Sequence, residues 1–125
     1  MAHQKTILWV EDEEEQSSVL SKLFTENGFL TVVRDNAEEA LQVLRDFTPD
    51  IMLVDIKLRD SNGLDFFYEI KKTERLKNVP IVFLTAFNSL QMAIDAKNKG
   101  ATDYITKPFD IDYLIERIKE IVAPE

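Results

Sequence analysis

The sequence predicts an open α/β fold, a (βα)5 arrangement whose five-stranded parallel sheet is doubly wound by helices. Three observations predict it. Short continuous apolar runs recur along the chain, segments of helical period fill the gaps between them, and the alternation repeats five times. A strand that is apolar at consecutive positions is buried on both faces, as in a parallel sheet covered by helices on either side. Five βα units are too few to close an eight-fold barrel, and right-handed crossovers leave few topologies for an open sheet.

Ile7-Leu8-Trp9-Val10 is the first run. Residues 14–27 follow, with Val19, Leu20, Leu23 and Phe24 on one helical stripe and Gly28 as the stop. Leu30 to Val33 form a second strand. Asn36, with Glu39 three residues on, makes a capping-box-like start to a helix carrying Ala40, Leu41, Leu44 and Phe47, which Pro49 ends. Ile51-Met52-Leu53-Val54 is the third run and terminates in Asp55. After a loop from Arg59 to Gly63, Leu64 to Lys72 reads as a helix with Phe67 and Ile70 inward. Pro80 opens the fourth run, Ile81-Val82-Phe83-Leu84, which ends in Thr85. Residues 89–99 form a weakly amphipathic helix closed by Gly100. Tyr104-Ile105 is a short fifth strand before Lys107-Pro108. Ile111, Leu114, Ile115, Ile118, Ile121 and Val122 then give the clearest amphipathic stripe of all.

Composition narrows the function. At 125 residues, 45% apolar and 30% charged, residues 1–125 are expected to form one globular domain, with no output domain visible after the last helix. A net charge of −8 argues against direct binding to a nucleic-acid backbone. The absence of cysteine removes thiol nucleophiles, iron–sulfur clusters and Cys-type zinc sites. His3 is the only histidine and sits at the terminus, where it serves neither a catalytic triad nor a multi-His metal site. The start, MAHQKTILWVEDEEE, is neither a signal peptide nor a membrane span, so a cytoplasmic location and no membrane partner are expected.

In open α/β sheets the functional crevice lies outside the carboxyl ends of the strands, where strand order reverses. Glu11 and Asp12 follow the first strand, Asp55 the third, Thr85 the fourth and Lys107 the fifth. Each alone is ordinary: a solvated loop acid, a turn hydroxyl, a surface lysine. Together they are not. Two unit charges about 4 Å apart repel by about 4 kcal/mol at an effective dielectric near 20, so three gathered acids need cations. Lys107 and one divalent ion would balance Glu11, Asp12 and Asp55. Hard oxygen donors without His or Cys favour Mg²⁺, with Mn²⁺ next. Glu13, Glu14 and Glu15 read instead as acids that complement the dipole of a first helical turn. No GxGxxG fingerprint or Walker loop is present.

This constellation resembles the receiver domain of two-component response regulators, in the manner of the chemotaxis regulator, from Lys5 to Val122. The resemblance rests on the acid pair Glu11-Asp12 after ILWV, Asp55 closing MLVD, Thr85-Ala86 closing VFLTA, and Lys107-Pro108 before the last helix. It implies the flavodoxin-like strand order 2-1-3-4-5. It implies that Asp55 is the phosphoacceptor, charged by a phosphohistidine on a sensor histidine kinase or phosphotransfer protein. Asp12, Asp55 and the backbone carbonyl of Lys57 would hold Mg²⁺, with Glu11 directly or through a water. Lys107 would pair with Asp55 and then with the phosphoryl oxygens, while the Thr85 hydroxyl and the Ala86 N–H donate to them. Tyr104 would turn inward as Thr85 moves, and a cis peptide is expected before Pro108.

Three departures from the family's usual pattern stand out: Arg59 where proline is common, Glu11 where Asp is common, and the pair Lys57 and Phe87 beside the path of attacking water. Bulky Phe87 is expected to hinder that water; Lys57 either attracts the phosphodonor or pairs with Glu11. The expected function is therefore a phosphorylation-controlled signalling switch rather than an enzyme, although one that assists its own phosphorylation and dephosphorylation. Its change would reach the fourth helix, fifth strand and fifth helix, including Lys97 and Lys99, and a downstream protein target or a linked output domain. The alternatives are a phosphorylation-independent adaptor and a Mg²⁺-dependent phosphohydrolase. The latter is disfavoured because no second acid stands two residues after Asp55.

Overall fold

The computed structural model describes residues 4–58 and 61–124; His3 and Arg59 lie outside the described residues. The chain runs β1 (Thr6–Val10), α1 (Glu14–Glu26), β2 (Leu30–Arg34), α2 (Ala37–Val43), β3 (Ile51–Val54), α3 (Gly63–Lys72), β4 (Ile81–Thr85), α4 (Leu90–Asn98), β5 (Asp103–Thr106) and α5 (Ile111–Val122). All neighbouring strands are parallel, in the order β2-β1-β3-β4-β5. The doubly wound, flavodoxin-like prediction holds.

The continuous apolar runs divide their side chains between two cores, because successive strand residues point to opposite faces. Leu8, Val10, Met52, Val54, Ile81 and Phe83 meet Phe66, Phe67 and Ile70 of α3 and Ala96 of α4 on one face. Ile7, Trp9, Ile51, Leu53, Val82 and Leu84 meet Leu20 and Phe24 of α1 and Leu114, Ile115 and Ile118 of α5 on the other. Every residue of β1, β3 and β4 is buried.

Local signals explain most boundaries. Gly28 (φ +91°) closes α1: its N–H reaches the Thr25 carbonyl and the Phe29 N–H reaches that of Phe24, the double bond of a left-handed helix stop. Asn36 caps α2, its Oδ1 accepting from the Glu39 N–H at 2.8 Å while its Nδ2 donates to the Glu39 carboxylate at 2.7 Å.

Some expectations are corrected. Val19 is 59% exposed and not on the inward stripe of α1; Ser17, Leu20 and Phe24 are the buried residues there. Helix α2 stops at Val43, short of Phe47, because the Arg75 guanidinium takes the Leu44 carbonyl and the Thr48 hydroxyl as acceptors and satisfies the chain without further helix. Gly63 opens α3 instead of ending the loop before it, with Asn62 as cap, and Phe66 joins Phe67 and Ile70 in the core. Ser89 and Lys99 are the caps of α4, outside the helix proper. Strand β5 is four residues long, starting at Asp103.

Candidate functional site

Strand β1 lies between β2 and β3, so the chain order reverses beside it and opens a crevice at the strand ends. Register does the rest. Val10 pairs with Val54, which sets Glu11 and Asp55 side by side, and the Asp55 N–H donates to the Val10 carbonyl at 3.1 Å. Thr85 pairs with Thr106, and the Lys107 N–H donates to the Thr85 carbonyl at 2.8 Å. Five side chains from four strand ends therefore border one cavity: Glu11, Asp12, Asp55, Thr85 and Lys107, with Lys57, Ala86 and Phe87 at its walls.

The Lys107 ammonium is the hub. Its Nζ donates to Glu11 Oε1 at 2.6 Å and to Asp55 Oδ2 at 3.1 Å. The other Asp55 oxygen accepts from the Lys57 N–H at 3.1 Å, and Glu11 Oε2 from the Glu13 N–H at 3.3 Å. Glu11, Asp55 and Thr85 are only 2%, 7% and 1% exposed. Burial pushes the Glu11 carboxyl up to about 7, against the pull of Lys107. Burial would lower the Lys107 ammonium, but its bonds to Glu11 and the charge of Asp55 carry it above its ordinary value. It stays charged. The Lys107–Pro108 peptide is cis.

Thr85 and Tyr104 both engage the loop after β4. Thr85 Oγ1 accepts from the Phe87 N–H at 3.2 Å, and the Tyr104 hydroxyl donates to the Phe87 carbonyl at 2.6 Å. Burial, then the nearby Asp55 charge, pushes the Tyr104 phenol up. The half-buried Tyr104 ring rests against Phe83, with centroids 6.0 Å apart.

Glu11, Asp12 and Asp55 border the same cavity. Among the described residues, no group of three or more His, Cys, Asp or Glu is arranged to hold a metal ion. Lys107 pairs with both Glu11 and Asp55. Beside the paired Glu11, the cavity is lined by Asp12, Asp55 and the Lys57 loop, a set of hard oxygen donors. That donor chemistry fits a hard divalent cation. The Lys57 ammonium lies over the Phe87 ring.

Sequence reasoning missed Gln16. It lies on α1, and its Oε1 accepts from Lys107 Nζ while its Nε2 donates to Glu13. Glu13 is thus more than a helix-dipole acid. A polar residue in the first turn of a surface helix carries no signal of its own, so nothing in the sequence marks it. Among the described residues, no helix is long and apolar enough to cross a membrane.

The response regulator receiver domain matches residues 7–119. The chain is 34% identical to the DNA-binding transcriptional regulator NtrC of Proteus hauseri over 121 residues, 96% of this chain and 25% of that protein. It is 32% identical to the phosphate regulon transcriptional regulatory protein PhoB of Escherichia coli over 118 residues, 94% of this chain and 52% of that protein. The chain thus spans between a quarter and about half of these curated relatives. The non-phosphorylated HemR receiver domain of Leptospira biflexa superposes with a TM-score of 0.88 at 27% identity, covering 97% of this chain and 96% of that one. With the match running from β1 into α5 on the same strand order, this chain belongs to the response regulator receiver domain family, whose members are signalling domains rather than metabolic enzymes.

Proposed function

We propose that this receiver is a phosphorylation-controlled switch in a two-component phosphorelay, with Asp55 accepting the phosphoryl group from a phosphohistidine on a sensor kinase or phosphotransfer protein. One observation carries the reading. The Asp55 carboxylate closes a central strand at the mouth of the cavity, one oxygen held by the Lys57 N–H and the other by Lys107.

In the transfer, an Asp55 oxygen attacks phosphorus and the bond from phosphorus to the donor breaks, giving an acyl phosphate. Receiver domains generally use Mg²⁺ at this site, and the ion supplies charge neutralisation of the phosphoryl oxygens. Asp12, Asp55 and the Lys57 backbone carbonyl would hold it here, with Mn²⁺ as a substitute, while Glu11 stays with Lys107. Phosphorylation replaces one negative charge on Asp55 by about two. The Thr85 hydroxyl, now an acceptor for Phe87, gains from turning to donate to a phosphoryl oxygen, and the exposed Ala86 supplies a second N–H. Because Tyr104 is bonded to the Phe87 carbonyl, movement of that loop carries Tyr104 with it. Shifting the active form from 1% to 99% needs about 5.5 kcal/mol, within reach of several charge-assisted hydrogen bonds. The same residues assist hydrolysis of the acyl phosphate.

The face formed by α4, β5 and α5, including Lys97 and Lys99, is the proposed output surface. Its support is the exposure of Leu90 and Ile94 on α4 and Tyr113 on α5. The signal would pass to a separate protein or to a linked output domain.

Intact-mass measurement after incubation with acetyl phosphate and Mg²⁺ tests the reading. Wild type should gain one phosphoryl group and Asp55→Asn none; a folded wild type that never gains it ends the proposal.

A further inference from the structure

We propose that Gln16 is a positioning residue for Lys107: a neutral clamp from α1 that fixes the ammonium beside Asp55 without adding negative charge to the phosphorylation cavity. The inference rests on the reading of Asp55 as phosphoacceptor and adds to it a residue outside the strand ends.

An ammonium has three N–H donors. Lys107 spends all three, on Glu11 Oε1 at 2.6 Å, Gln16 Oε1 at 2.5 Å and Asp55 Oδ2 at 3.1 Å. The bond to Asp55 is the longest of the three. It is the one the ammonium can most readily redirect to an arriving phosphoryl oxygen, while Glu11 and Gln16 hold Nζ in place. A third carboxylate in the position of Gln16 would hold the ammonium equally well but repel the dianionic phosphoryl group. A carboxamide avoids that repulsion.

The amide is oriented by charge on both sides. Gln16 Nε2 donates to Glu13 Oε2 at 2.5 Å, so the oxygen faces the ammonium and the NH₂ faces the carboxylate. Turned over, the NH₂ would meet the ammonium and the oxygen the carboxylate, both repulsive. The centroid of the Trp9 ring lies 5.9 Å from Lys107 Nζ. Without Gln16 the freed N–H turns to Asp55, quenching its nucleophilic oxygen, or to water, loosening the ammonium. Both slow the attack on phosphorus.

The test measures the rate at which acetyl phosphate labels Asp55 at saturating Mg²⁺. In that step the Asp55 oxygen–phosphorus bond forms as the acetyl oxygen–phosphorus bond breaks, and acetate leaves with the electron pair. Gln16→Met keeps the length and helix propensity but removes the acceptor; it should label about tenfold slower, the scale of one hydrogen bond to a charged group. In a Lys107→Met background the same substitution should change the rate by less than about twofold, since neighbours acting through one another are not additive. Lys107→Gln replaces Lys107→Met should the latter not fold. Gln16→Met labelling at the wild-type rate, or slowing equally with and without Lys107, overturns the clamp while leaving the phosphoacceptor reading intact. A wild type that never labels overturns the phosphoacceptor reading itself, and the clamp with it.

Discussion

The Lys57 ammonium lies over the Phe87 ring, 5.2 Å from its centroid. The second residue after Asp55 and the second after Thr85 thus meet across the cavity that holds both. An exposed cation–π pair contributes about 0.5–1 kcal/mol, enough to bias these two side chains toward each other at the cavity wall.

The pair is expected to shield the acyl phosphate from water. Phe87→Ala should therefore shorten its lifetime about two- to fivefold, as should Lys57→Ala, with the double variant little faster than either single one. Half-lives followed by mass after removal of the donor measure this. If Phe87→Ala decays at the wild-type rate, the shielding role is wrong.

Gly63 should tolerate no side chain. A Cβ there would stand 2.1 Å from the Asp55 carbonyl oxygen and 2.9 Å from Ile56 Cα, both backbone atoms. The Gly63 N–H also donates to the Ile56 carbonyl at 2.7 Å, so α3 starts pressed against the acceptor strand. Gly63→Ala is expected to cost about 3 kcal/mol, read as a shift of the urea midpoint. A loss under about 1 kcal/mol would mean that the two backbones separate freely.

Asp103 should confer stability with a defined pH range. Burial works to raise its carboxyl, but Arg117 Nε at 2.8 Å, the Tyr104 N–H and Lys97 at 3.4 Å together hold it below the ordinary 3.8. A depressed carboxyl stabilises the fold above its unfolded value and loses that contribution as pH falls through the folded one. Asp103→Asn should thus be about 1–2 kcal/mol less stable than wild type near neutrality, with the two converging below pH 3.8. Denaturation curves across that range check it; a gap that stays constant into acid would assign the loss to packing.

Chelation should abolish labelling. With the divalent ion removed, Asp12 and Asp55 repel each other and the phosphoryl donor, so acetyl phosphate should no longer label Asp55. Asp12→Ala should reproduce the loss at ordinary Mg²⁺. Labelling that persists in both cases would dissociate the acid pair from the chemistry.

Much of this was legible because parallel strands write their burial on both faces directly into consecutive residues, and because the residue after each run falls at one edge of the sheet. Glu11, Asp55, Thr85 and Lys107 were found that way. Side-chain partnerships across elements were not. The link from Lys107 to Gln16 joins residues 91 apart, and periodicity carries no trace of it. Val19 was misread because the inward arc of α1 is shifted toward Ser17, whose hydroxyl can be buried after donating to the Glu14 carbonyl. Phe47 was misread because the stop of α2 is supplied by Arg75, far along the chain.

Trp9 is the only tryptophan in the chain, fully buried in β1, and its Nε1 finds no hydrogen-bond partner among the described residues. With the Lys107 ammonium above its ring, the indole is a native fluorophore placed directly under the charge that responds to Asp55. Its emission should lie toward the blue and change when acetyl phosphate is added, giving a stopped-flow signal without any attached dye.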